Sequence, residues 1–137
     1  MEKVFFPKGD LAQGQWDVIV DNTINGWQHT GVRVGDFSKS KTFSIAADKV
    51  ERLIWPLEGE SITVSYTVDN ATTEVKLRGR KTVFHGTTDL QYVSIDTEVT
   101  ITGTGRFIIA EAPAKNSFPP AFIDRDRVPV FVRGAGP

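Results

Sequence analysis

The stretch "SITVSYTV", residues 61–68, alternates apolar and hydroxyl-bearing side chains with a period of two. In an extended chain this spacing places Ile62, Val64 and Tyr66 on one face and the Ser and Thr side chains on the other. β-Branched and aromatic residues also favour the pleated backbone. The stretch therefore predicts a strand of a sheet with one buried face.

The same period of two recurs along most of the chain. Further strands are predicted at residues 16–21, 30–37, 41–46, 52–57, 73–79, 90–95, 98–103, 106–112 and 128–134. Turn signals separate them, among them "EGES" (58–61), "VDNAT" (68–72) and "TGTG" (102–105). Short strands separated by regular turns are typical of an all-β sandwich or barrel. We expect an antiparallel fold with negligible helix, in which closure protects the strand edges.

The segment "APAKNSFPPAFIDRDRVPV", residues 112–130, interrupts this rhythm with four prolines. Proline removes a ladder donor and holds the preceding residue extended, so an extended strap over the surface is predicted. The strap is either a connector or an arm that docks on a neighbouring domain or subunit. In the second case Phe118, Phe122 and Phe131 are the expected interface residues.

Length and composition exclude several classes of protein. A chain of 137 residues fits one domain, residues 1–137, and its net charge of -1 gives no basic surface for nucleic acid. Cysteine is absent, which excludes disulfides and thiolate metal sites. Neither a signal peptide nor an apolar run long enough to span a membrane is evident. We expect a soluble, cytoplasmic protein with no nucleic acid or membrane partner.

Four stretches carry a family resemblance: "LIWPLEGESITV", "GRKTVFHGTTDLQYVSIDTEVTITG", "RFIIAEAPA" and "VPVFVRGAG". Their order and spacing resemble the amino-terminal half of the 5-deoxyglucuronate isomerases of inositol catabolism, which are related to the 4-deoxy-5-ketouronate isomerases. The matching residues are Leu57, Gly59, Arg80, Val83, Phe84, Gly86, Asp89, Tyr92, Val93, Ala112, Pro113, Arg133, Gly134 and Gly136.

The resemblance implies a cupin-like antiparallel jelly roll and a place in a longer protein. Members of that family are bicupins, in which the metal and the catalytic residues lie in the carboxy-terminal barrel. This chain is then the amino-terminal cupin domain, whose partners are the missing carboxy-terminal cupin domain and further copies in a homo-oligomer. The intact protein would isomerise a sugar-acid substrate.

The metal ligands of a cupin motif are largely missing here. If Gly59 closes that motif, Glu51 stands near its glutamate, but "TFSIAAD" before it holds no histidine. With only His29 and His85 in the chain, a three-histidine site is excluded. A site of His29, His85 and Glu51 stays possible by ligand type, although no characteristic spacing supports it. We expect no metal, no cofactor and no catalytic residue in this domain.

His85 lies in a turn-like stretch, "HGTTD", and so we favour a structural or surface role for it over a catalytic one. Asp89 is interpreted as a turn acceptor or as the partner of Arg80. The candidates for a pocket or an interface are His29, Glu51, Arg80, His85, Asp89 and Tyr92.

The tryptophans and the function leave alternatives open. Trp55, inside "LIWPL", is expected in the core, whereas Trp16 and Trp27 suit either the core edge or an interface.

The first functional hypothesis is a catalytically silent domain that supports and oligomerises an isomerase. The alternative is a free-standing carbohydrate-binding module without catalysis.

Overall fold

The computed structural model describes residues 14–20, 31–82 and 86–127. These residues form nine antiparallel strands and one short 3₁₀ turn: β1 (Val18–Val20), β2 (Gly31–Asp36), β3 (Thr42–Ile45), β4 (Val50–Val68), β5 (Ala71–Arg80), β6 (Leu90–Val93), β7 (Glu98–Gly103), β8 (Arg106–Pro113), β9 (Ala121–Ile123) and the turn Arg125–Arg127. Within the described ranges there is no α-helix. The all-β, antiparallel prediction is confirmed.

Strand β4 belongs to two sheets. Its first half pairs with β8 and β6 in a first sheet of order β1-β2-β8-β4-β6-β9. Its second half pairs with β5 and β7, and β3 extends this second sheet beyond β7. Strand β8 runs antiparallel to the first half of β4 and β7 to its second half, so the chain changes sheets between β7 and β8, beside the point where β4 does. This is the arrangement of a cupin-like jelly-roll sandwich.

Two of the predicted turns are not chain reversals. "EGES" lies within the continuous strand β4, where a bulge between Pro56 and Glu58 bends the strand. "TGTG" is the matching bend between β7 and β8. Only "VDNAT" reverses the chain, since Asp69 and Asn70 both have positive φ (51° and 66°), as a two-residue hairpin of type I′ requires. The bulge and the bends form the corner at which strands switch sheets.

The two sheets enclose one hydrophobic core. The inner face of the second sheet contributes Phe43, Ile62, Val64, Leu77 and Ile101, while the first sheet contributes Ile54, Val93, Phe107 and Ile109. Phe43 and Phe107 meet across the core with ring centroids 5.0 Å apart. Trp16 packs on both rings, so its place is in the core.

The expected closure and the expected place of Trp55 are not observed. The strand order of the first sheet begins at β1 and ends at β9 without returning on itself, in the part of the chain that the structure describes. Trp55 is half-buried on the outer face of the first sheet, because its neighbours Ile54 and Pro56 take the inward positions. Trp27 and the strand predicted at 128–134 lie outside the described residues.

Part of the proline-rich segment is built into the first sheet, so it is more than a connector. Residues 121–123 form β9, which adds an edge strand to the first sheet through its pairing with β6. The Phe118 amide donates a hydrogen bond to Ser94 Oγ at 2.8 Å.

No helix among the described residues is long and apolar enough to cross a membrane.

Candidate functional site

A cavity of about 320 Å³ opens on the outer face of the first sheet. Strands β2, β4, β6 and β8 supply its walls, because successive side chains of a strand point to opposite faces and these strands lie side by side. Its lining is mostly apolar. Of the four polar residues that line it, Glu51 and Tyr92 lie on this outer face, whereas the side chains of Arg52 and Glu111 point inward. The remaining lining residues are Gly31, Val32, Leu53, Ala110 and Ala112. A volume of this size is at the lower end for small-molecule sites.

Glu51 and Tyr92, two of the sequence candidates, are brought together in this cavity. Tyr92 pairs in register with Leu53, two residues beyond Glu51 on the same strand face. The Tyr92 hydroxyl donates to Glu51 Oε2 at 2.7 Å. Burial, reinforced by the neighbouring Glu51 carboxylate, raises the pKa of Tyr92, so the phenol stays protonated as the donor. The pair presents a carboxylate acceptor beside an aromatic ring.

A buried ion triad on the inner face of the first sheet escaped sequence reasoning. Arg52 Nε donates to Glu111 Oε2 at 2.6 Å, and Arg33 Nε donates to Glu111 Oε1 at 2.7 Å. The Arg52 side chain is 1% exposed, and Arg33 also lies 5.5 Å from the Trp16 ring centroid. The sequence did contain a signal. Alternate residues of a strand share a face, so Arg52 lies on the inward face with Ile54, and Glu111 lies on it with Ile109. Two residues of opposite charge were thus predicted at core positions.

A second charged centre surrounds Asp89, which is fully buried. Its carboxylate accepts hydrogen bonds from the Arg78 backbone amide at 2.7 Å, from Arg78 Nε and Nη2 at 2.9 and 3.0 Å, and from the Arg125 amide at 2.8 Å. Burial raises the pKa of Asp89, but the hydrogen bonds from Arg78 and Arg125 outweigh it and leave the pKa lowered. Asp89 thus ties β5, the start of β6 and the 3₁₀ turn together.

Arg80 is not the partner of Asp89, which corrects that part of the interpretation. The Arg80 guanidinium donates instead to the carbonyl oxygens of Leu57 at 2.8 Å and Gly86 at 2.9 Å. Adjacent strand residues point to opposite faces, but Arg78 and Arg80 share a face, so sequence parity could not distinguish them. The partner is set by the backbone position of Asp89, whose amide donates to the Arg78 carbonyl at 3.2 Å.

Of the remaining sequence candidates, His29, His85 and Phe131 lie outside the described residues. Phe118 and Phe122 are exposed beside and within β9. In residues 14–20, 31–82 and 86–127, no three His, Asp or Glu side chains come together as a group that could hold a metal ion. The described part of the site therefore offers hydrogen-bond acceptors and ion pairs.

The triad predicts a large loss of stability when its carboxylate is removed. Glu111→Gln leaves two guanidinium groups without their counter-charge, one of them fully buried, and should lower the unfolding free energy by about 3–5 kcal/mol. Denaturant unfolding measures the change, with exposed Glu98→Gln as the matched control. Replacing all three charges (Arg33→Met, Arg52→Met, Glu111→Leu) should restore much of the loss. A change below about 1 kcal/mol for Glu111→Gln would contradict the triad's role.

Asp89 predicts a specific pH dependence of stability. Because its pKa is lowered in the folded state, its contribution is present above the unfolded value of about 3.9 and is lost as pH falls through the folded value. Asp89→Asn should cost about 3 kcal/mol at pH 7, and the difference from wild type should shrink below about pH 4. Asp96→Asn is the control, since Asp96 is exposed and asparagine also tolerates its positive φ of 60°. A difference that stays constant down to pH 2 would refute the assignment.

Comparison with known proteins agrees with this architecture. A crystal structure of an IolB-like protein from Salmonella typhimurium LT2 matches with a TM-score of 0.76 and 18% sequence identity, covering 91% of this chain and 47% of that one. The likeness shows the fold, and this chain spans about half the length of that protein. Among curated proteins no match is found. The KduI/IolB family matches residues 5–137, nearly the whole chain. The chain belongs to the KduI/IolB family.

Proposed function

We propose that this chain is the amino-terminal cupin domain of a 5-deoxyglucuronate isomerase, in which it binds no metal and has a structural and oligomerising role. The family match over residues 5–137 supports a domain of a sugar-isomerase family. In this proposal the intact protein works in the cytoplasm in myo-inositol catabolism. It interconverts 5-deoxyglucuronate and 2-deoxy-5-keto-gluconate, and the carboxy-terminal cupin domain supplies the metal and the catalytic residues.

The observation that carries the silent role is the Arg33–Glu111–Arg52 triad. It fills the inward-facing positions at one end of the sandwich with two cations and one anion. Such a site repels a divalent cation, and its single carboxylate is already committed to two guanidinium groups. A metal ion would have to displace both, leaving Arg52 buried without its partner. This arrangement favours structure over catalysis.

The outer face of the first sheet supports a role in packing. The second sheet has an outer face of Ser, Thr and charged side chains, as an antiparallel sheet facing water usually does. The first sheet instead presents apolar, half-buried side chains on its outer face, namely Val32, Val34, Leu53, Trp55, Ile108, Ala110 and Ala112. A domain that packs against a second cupin domain would need such a face.

The proposal predicts neither turnover nor a bound metal for the isolated chain. Protein purified without chelator should contain far less than stoichiometric zinc, manganese or iron by elemental analysis. Incubation with 5-deoxyglucuronate should yield no 2-deoxy-5-keto-gluconate, with a two-domain isomerase of the family assayed in parallel as the positive control. Near-stoichiometric metal would refute the first statement, and turnover that scales with the concentration of the chain would refute the second.

The Glu51–Tyr92 cavity favours the alternative, a carbohydrate-binding module. An aromatic ring beside a hydrogen-bond acceptor suits a sugar ring with a hydroxyl donor, and the negative charge of Glu51 disfavours an acidic sugar. Calorimetric titration with neutral monosaccharides and with uronic acids separates the two functions. We expect no saturable binding. Binding of a neutral sugar that Leu53→Trp abolishes by filling the cavity, and that exposed Thr73→Trp leaves intact, would establish the alternative instead.

A further inference from the structure

The end of the first sheet carries an exposed apolar surface. In the part of the chain that the structure describes, three large hydrophobic side chains are exposed: Phe118 (55%), Phe122 (47%) and Ile123 (36%). All three lie within six residues of one another, at or just before the edge strand β9. We call these residues, with the following Asp126 and Arg127, the β9 patch. Clustered exposed hydrophobics of this kind mark interaction sites more often than scattered ones do.

Hydrogen bonds hold the backbone of the β9 patch in place, while its apolar side chains stay exposed to solvent. The Phe118 amide donates to Ser94 Oγ, and β9 pairs with β6 over three residues. The Arg125 amide donates to buried Asp89, and the Arg125 carbonyl accepts from Thr87 Oγ1 at 2.8 Å. A surface ordered in advance loses little conformational entropy on association. The patch is therefore prepared for a partner.

A depression of about 460 Å³ adjoins the β9 patch and is lined by Phe122, Ile123, Asp124 and Arg127. Its lining combines two apolar residues with an arginine. An aromatic ring fits such a site, since it can pack on the apolar side chains and stack on the arginine. Phe118 of a second copy is a side chain of that type.

The charges around the patch favour an identical copy over an acidic or basic partner. The sequence from Asp124 to Arg127 alternates acid and base, so its net charge is zero. Asp124 is already paired with Arg78 at 3.1 Å, whereas Asp126 and Arg127 are exposed neighbours of opposite sign. Across a two-fold axis, Asp126 of one copy can face Arg127 of the other, and the second pair forms by symmetry.

We propose that the β9 patch is the two-fold interface between two copies of this chain, with Phe118 of each copy seated in the depression of the other. The inference deepens the oligomerising role proposed above and rests on it. Three exposed apolar side chains are fewer than a large permanent interface buries, so the dimer should dissociate on dilution.

Sedimentation velocity over a concentration series of the purified chain tests the apolar centre. Wild type should show a reversible, concentration-dependent monomer–dimer equilibrium. Phe118→Ser and Phe122→Ser should each weaken it by at least about tenfold, the loss expected for a central interface residue. Thr73→Ser, on exposed β5, is the control and should associate as wild type does. A wild type that remains monomeric throughout, or serine variants that associate equally well, would overturn the proposal.

Charge reversal tests the symmetry. Asp126→Arg and Arg127→Asp alone should each weaken association, because like charges then face each other across the axis. An equimolar mixture of the two variants should recover it as a heterodimer, and so should the double variant that carries both substitutions. Loss in the single variants without recovery in the mixture would exclude this pairing, and would point to a different occupant such as another domain. The turnover assay described above is independent of association, so the failure of either proposal can be recognised separately.

Discussion

The fold depends on one corner, where strand β4 and, beside it, the chain between β7 and β8 pass from one sheet to the other. At this point β4 bends through the bulge between Pro56 and Glu58, and the chain from β7 to β8 bends beside it. The backbones approach so closely that a Cβ atom on Gly59 would lie 2.6 Å from the Thr104 carbonyl oxygen. Gly59 also has a φ of 117°, which side chains rarely tolerate. Glycine is therefore required there.

The corner determines which residues face the core. Because β4 and β8 stay in register up to the bend, Arg52 lies opposite Glu111 and Ile54 opposite Ile109. A shift of one residue would turn each of these side chains to the other face. The buried triad, the core cluster and the cavity with Glu51 and Tyr92 all follow from this register. The bend also lets one strand supply inward-facing residues to both sheets, so a single core serves both.

Sequence periodicity predicted the strands because burial on one face is a local property of alternate residues. It placed "SITVSYTV" correctly. The turn signal "VDNAT" lies at the hairpin, because positive φ at Asp69 and Asn70 favours those residue types. It misread "EGES" and "TGTG", since glycine serves equally well for a chain reversal and for a bend that lets two backbones approach. That distinction depends on strand pairing over more than 40 residues, which no local pattern contains. The prediction that Trp55 lies in the core is wrong for a related reason. A continuous apolar run such as "LIWPL" has no alternation of apolar and polar residues to show which face is buried.

Charged residues show the same limit. Asp89 was recognised as important, but its partner Arg78 could be identified only once β5 and β6 were placed. The triad offered a clearer signal, because a charged residue at an inward position of a strand must find a partner to be tolerated. The alternation along one strand shows that a charged residue faces inward. Which residue it pairs with depends on the register between neighbouring strands.

The buried charges also limit what the described interior can do. A carboxylate held by two guanidinium groups cannot act as a base or a ligand unless those bonds break, and breaking them would leave a buried cation unpaired. Asp89 is committed in the same way to Arg78 and Arg125. The groups that remain accessible lie on surfaces: the Glu51–Tyr92 cavity on the apolar outer face, and the β9 patch at the sheet edge. A sandwich that commits its internal charges to stability and leaves its apolar residues on the outside is suited to contact with other molecules. These two surfaces are the physical basis of the packing and assembly roles proposed above.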